Sequence, residues 1–256
     1  KAHALKQLEV VVDFEDHESG AEGVIAAPYQ QNPLALCSTL ERVTLSGHDV
    51  RLLEGSPQKL KALRVYESGG YNERLFTLLT QPICSELEAL HVDERHGWWG
   101  SEPTTGPSIT FPTLKSFYLA GSPLVHFSKC QFPNLISLQG HCELKTILEM
   151  KWPKLQCLNI GVNSNNFSDL QAFAQSACCP NLTTLTLDMG YFDYSKTDFS
   201  FLADCPHMPF LSLIQIPDYS NPKTWIIEDG NFIPVRSDVL LEEPTPTTQY
   251  NIFVVF

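Results

Sequence analysis

Residues 111–119 read F-P-T-L-K-S-F-Y-L. Leu114, Phe117 and Leu119 are spaced L-x-x-L-x-L, with Pro112 two places before the first leucine. Side chains alternate sides along a strand, so Phe117 and Leu119 share one face and Tyr118 takes the other. Proline fixes its own φ and biases Phe111 toward extended geometry, so the pair can launch a short strand without breaking a ladder.

The same spacing recurs on both sides of this segment. Upstream lie Leu5-Leu8-Val10, Leu40-Val43-Leu45, Leu60-Leu63-Val65 and Leu87-Leu90-Val92. Downstream lie Leu155-Leu158-Ile160, Leu182-Leu185-Leu187 and Leu211-Ile214-Ile216, with a degenerate copy, Leu135-Leu138-Gly140, between. First leucines are separated by 35, 20, 27, 27, 21, 20, 27 and 29 residues, a mean of about 26. Five copies share the proline lead-in: Phe111-Pro112, Phe132-Pro133, Trp152-Pro153, Cys179-Pro180 and Met208-Pro209. A leucine-rich chain produces one or two such triplets by accident. Nine in order, five with the same lead-in, are an internal repeat.

The segments F-P-T-L-K-S-F-Y-L, F-P-N-L-I-S-L and C-P-N-L-T-T-L-T-L resemble irregular members of the leucine-rich-repeat family, whose period is roughly 20–29 residues. The resemblance covers roughly residues 5–216. Similar strand lead-ins occur in substrate receptors of ubiquitin ligases and in plant immune receptors. His48 and Ser122 stand where the family's post-strand asparagine is usual, so the resemblance carries no asparagine ladder.

The expected fold class is α/β: an irregular horseshoe solenoid with a parallel β-sheet on its concave side and helices and turns on its convex side. The 20- and 21-residue spacings leave room for a turn only, while the longer ones can hold helices. One is expected over 73–80, capped by Asn72, with Leu75, Leu78 and Leu79 on one face and Pro82 ending the run. Another is expected over 169–177, capped by Ser168, with Leu170, Phe173, Ala174 and Ala177 as its stripe. Residues 1–220 form the repeat array, with an insertion at 15–33. Residues 221–256 leave the pattern and read as a C-terminal cap, with a hairpin around Asp229-Gly230.

Composition narrows the function. The 256 residues include 17 Lys and Arg against 29 Asp and Glu, a net charge of −12. That balance argues against a nucleic-acid partner, because phosphate binding relies on clustered cations. Hydrophobic residues make up 43%, enough for a packed interior. No apolar run reaches the roughly 20 residues of a membrane span. The chain opens at Lys1 without Met or a secretory leader and reads as a fragment or processed product. Eight cysteines in 256 residues fall far below the roughly 8–10% of a disulfide scaffold, and none forms C-x-x-C. They read as reduced thiols, which favours the cytoplasm. Two N-x-S/T sequons, at Asn166 and Asn181, carry little weight, the second because it falls inside a core repeat.

Catalytic signatures are missing. No G-x-G-x-x-G, G-x-x-x-x-G-K-[ST], H-E-x-x-H or G-x-S-x-G string occurs. The run His91 to His96 invites a metal reading, but His96 lies past the strand, and His91, Asp93 and Glu94 read as polar face residues. Cys142 or Cys157 beside His141 could make a nucleophile pair, yet no orienting acid or oxyanion donor accompanies it. The chain is expected to be non-enzymatic, with no catalytic residues, metal or cofactor.

What the repeat does supply is a face. The residues between the last two apolar positions run Glu9, Thr44, Arg64, His91, Tyr118, Gln139, Asn159, Thr186 and Gln215. Two places further along each strand run Val11, Ser46, Tyr66, Asp93, Ala120, His141, Gly161 and Asp188. The middle gathers Arg64, Tyr66, Glu67, His91, Asp93, Glu94, Tyr118, Gln139 and His141, and Tyr and Arg are the residue types of binding hot spots. Trp98 and Trp99 sit in the turn-rich loop 93–112, either folded back as a lid or exposed as an anchor. The expected function is a protein-recognition module that binds a protein partner through this face. Two alternatives stand beside it: the repeat portion of a larger ubiquitin-ligase or immune receptor, and a Cys-His hydrolase on the same scaffold.

Overall fold

The computed structural model describes residues 6–10, 40–46, 53, 59–67, 72–94, 106–120, 124–140, 144–161, 167–188, 199–203, 205–216, 223–228 and 231–235. Across these, one sheet holds eleven strands in chain order. Strands β1 (Gln7–Val10), β2 (Arg42–Ser46), β3 (Ala62–Glu67), β4 (Ala89–Glu94) and β5 (Ser116–Ala120) pair in parallel, each with the next. Strands β6 (Ser137–Gly140), β7 (Cys157–Gly161), β8 (Thr184–Asp188) and β9 (Leu213–Ile216) continue in the same sense. Strands β10 (Lys223–Glu228) and β11 (Asn231–Val235) then close the sheet as an antiparallel pair on β9. The class is α/β, with a long parallel sheet and few helices. The insertion at 15–33 lies outside the described residues.

The register follows the triplets. Val43, Leu63, Leu90, Phe117, Leu138, Leu158, Leu185 and Ile214 face one another strand by strand. All eight are buried in a single apolar cluster, as are the first leucines from Leu40 to Leu211. A slip of one residue would send this entire row to the opposite face, so burial itself fixes the pairing.

Four of the five proline lead-ins, all but Phe111-Pro112, close a hydrogen-bonded β-turn. The backbone N–H of Leu135 donates to Phe132 O (3.3 Å), Leu155 to Trp152 O (3.3 Å), Leu182 to Cys179 O (3.2 Å) and Leu211 to Met208 O (3.0 Å). Proline thus occupies the second turn position, where its fixed φ is favoured. The residue before it turns inward instead of only extending the chain. Phe111, Phe132 and Trp152 form a stacked column, with ring centroids 5.3 and 5.6 Å apart and interplanar angles of 2° and 10°. Buried Cys179 and Met208 take the same position in later copies. Trp152 Nε1–H donates to Ile147 O at 3.0 Å, which satisfies the one polar atom of a fully buried ring.

Between the strands the chain is helical in pieces. Helix α1 (Asn72–Leu79) buries Leu75, Leu78 and Leu79 as its spacing requires, and Pro82 opens a 3₁₀ turn, Pro82–Cys84. Two expectations need correction. The 20-residue spacing after Leu135 holds a short α-helix, α2 (Leu144–Glu149), and not merely a turn. Its two buried apolar residues, Leu144 and Ile147, reach the core at a helical i, i+3 separation, and Thr146 is buried beside them. Helix α3 (Phe167–Ala174) is shorter than expected: Ser168 lies within it and Ala177 is exposed beyond it. Ser176 explains the early stop, because its N–H and hydroxyl both donate to Phe173 O (3.0 and 2.9 Å), tightening the last turn.

Gly140 accounts for the degenerate copy. It stands opposite Leu119 and Ile160 in the register, with φ of 144°, and a Cβ there would collide with the Leu119 carbonyl oxygen. No third aliphatic residue fits, and glycine alone tolerates that backbone. Asn181, expected inside a core repeat, is exposed, its amide donating to the Pro153 carbonyl. Among the described residues no helix is long and apolar enough to cross a membrane.

Candidate functional site

The alternation that buries Leu63 and Val65 turns Arg64 and Tyr66 outward, and the shared register carries this across the sheet. Arg64 lies opposite His91, His91 opposite Tyr118, and Tyr118 opposite Gln139. Tyr66 lies opposite Asp93. All six are half-buried, whereas Thr44, on the same row, is buried at 2% exposure.

The side chains form a continuous band. The Arg64 guanidinium stands 4.4 Å from the Tyr66 ring centroid, inside the roughly 6 Å reach of a cation–π contact. The Tyr66 and His91 rings are 6.1 Å apart at 52°, and those of His91 and Tyr118 are 4.1 Å apart at 33°. Packing in this row desolvates its members. Burial, helped by the Arg64 cation, pushes His91 down to about 4, so its imidazole is neutral at physiological pH. Burial and then the Asp93 carboxylate raise the Tyr118 phenol, which keeps its proton. Among the described side chains the band thus offers one guanidinium cation, three aromatic faces, two phenol groups and one carboxyl group.

Sequence reasoning placed Arg64, Tyr66, His91, Asp93, Tyr118 and Gln139 together, and the structure brings these six onto one face. Glu67 and Glu94 are register partners at the ends of β3 and β4, but their side chains lie outside the described residues. His141, Trp98, Trp99 and His96 lie outside them too, as does Cys142. Cys157, the other candidate nucleophile, has its thiol pushed up by burial against a weaker opposing hydrogen bond from Thr184, which keeps it protonated. Among the described residues, no three His, Cys, Asp or Glu side chains gather as a metal site.

A second surface was not foreseen. Where the strands begin, a cavity of about 760 Å³ is lined by residues that include Glu88, Lys115, Asn134, Lys154 and Phe210. Lys115 Nζ pairs with Glu88 Oε2 at 2.7 Å. Lys154 Nζ donates to Asn134 Oδ1, and Asn134 Nδ2 to Pro112 O, both at 2.6 Å. Phe210 stands at its edge, 59% exposed. The signal was in the repeat: Thr113, Asn134, Lys154, Asn181 and Phe210 all fill the position between proline and leucine. Comparison with protein-family models, with curated proteins and with solved structures found no match.

Proposed function

We propose that the chain is a leucine-rich-repeat solenoid whose open sheet face captures a protein partner without catalysis. The observation that carries this reading is the unbroken band Arg64–Tyr66–His91–Tyr118, with contacts of 4.4, 6.1 and 4.1 Å. Desolvated Arg and Tyr side chains at the middle of a polar surface are the composition of a binding hot spot. Rings already packed against one another at a tilt lose little conformational freedom on binding, which favours affinity. Neutral His91 and protonated Tyr118 suit a partner that presents peptide carbonyls, while Arg64 suits a carboxylate.

Six described cysteines carry reduced thiols, and this supports a reducing, cytoplasmic setting. The test is capture from native lysate by the full chain and by a triple variant, Arg64→Ala, Tyr66→Ala and Tyr118→Ala. Capture should vanish while the melting temperature stays nearly unchanged. Undiminished capture by the folded variant rejects the reading.

A further inference from the structure

The repeat position filled by stacked rings in Phe111, Phe132 and Trp152 is filled by a thiol in Cys179, which is fully buried. Its neighbour Cys178 is only half-buried. Their sulfurs lie 3.6 Å apart, and Ser176 Oγ lies 3.0 Å from Cys178 Sγ. The backbone holds the pair in place from both sides. Trp152 N–H donates to Cys178 O at 3.0 Å, and Leu182 N–H to Cys179 O at 3.2 Å. Two sulfurs fixed side by side on a rigid segment, one reachable from solvent, make a preorganised dithiol.

A direct bond between them is disfavoured. Neighbouring Cα atoms across a trans peptide stand about 3.8 Å apart, short of the roughly 4.4–6.8 Å that a relaxed disulfide spans. A third, larger atom bridging the sulfurs leaves them near their present separation. We propose that Cys178 and Cys179 form a two-sulfur site for a thiophilic trivalent centre of the arsenical class, separate from the open sheet face.

The chemistry balances without an oxidant. An organoarsenic(III) oxide gains two As–S bonds, and its As–O bond breaks. The oxygen leaves as water with the two thiol protons, arsenic remains trivalent, and neither sulfur is oxidised. Cys178 attacks first. The hydrogen bond from Cys179, the largest influence, outweighs burial and brings its thiol down to about 7, while Cys179 is pushed up and keeps its proton. Burial raises Cys84 to about 12 and Cys130 to about 11, so those thiols do not compete.

The experiment uses the full chain, one equivalent of phenylarsine oxide at neutral pH, and intact mass. Iodoacetamide labelling before the arsenical should modify Cys178 at least about tenfold faster than Cys157, because the thiolate is the reacting form. On a separate, unlabelled sample one arsenical per chain should add, block subsequent iodoacetamide labelling, resist excess 2-mercaptoethanol and release to 2,3-dimercaptopropanol. Cys178→Ser should abolish the adduct. If that variant melts early, Cys179→Ala, which leaves Cys178 able to form one As–S bond, should yield an adduct that the monothiol strips. An adduct that survives the monothiol in either folded variant overturns the proposal, as does failure of the native chain to bind.

Discussion

Arg64 places its guanidinium 4.4 Å from the ring centroid of Tyr66, two residues along the same strand and on the side away from the core. One strand thereby presents a cation and an aromatic face as a unit. The next strand adds His91 against both, since it is Arg64's register partner and its ring is 6.1 Å from that of Tyr66. The electrostatic state of His91 follows from this neighbourhood.

His91 should titrate near pH 4, well below the ordinary 6.5, with burial as the larger cause and Arg64 as the smaller. Below pH 6.5 the unfolded chain takes up this proton before the folded one does. The stability that His91 contributes is therefore complete above pH 6.5 and is lost as pH falls through 4. An NMR titration of the imidazole should give that midpoint, and Arg64→Ala should raise it only part of the way. A midpoint near 6.5 in the native chain would mean that the band is not packed as described.

Gly140→Ala should destabilise the fold by about 3 kcal/mol or more, combining a positive-φ penalty with a backbone collision. Urea unfolding measures it. A loss below about 1 kcal/mol would show that β6 can shift away from Leu119.

Trp152→Phe keeps an aromatic ring in the column but removes the indole donor from the Ile147 carbonyl, which retains only the Met150 N–H at 3.3 Å, for a loss of about 1 kcal/mol. Phe132→Ala, which opens a cavity between two stacked neighbours, should cost about 3–5 kcal/mol. Equal losses for the two variants would contradict the stacked geometry, and chemical denaturation of both against the parent decides it.

The strand register was legible because one rule, burial of every second residue, acts on each copy independently. Leu63, Leu90, Phe117, Leu158 and Leu185 had to align once they had to be buried. The outward row Arg64, His91 and Tyr118 came with it at no further assumption. The early stop of α3 was not legible, since it depends on Ser176 bonding back to Phe173 in place of another helical turn. Nor was the α2 helix, because counting residues between leucines does not say how much chain the proline turns consume. The lowered His91 depends first on burial within the stacked row and then on Arg64, 27 positions earlier in the chain, and the strand-start cavity on side chains from several copies. Such features arise only when the copies stack.

The most direct test of the central claim is hydroxyl-radical footprinting of the full chain with and without the proposed protein partner. Protection should concentrate on Tyr66, His91 and Tyr118, while Phe210 at the strand-start edge stays as reactive as in the free chain. Protection of Phe210 with the three face residues unchanged would contradict the account and move the recognition surface to the other edge of the sheet.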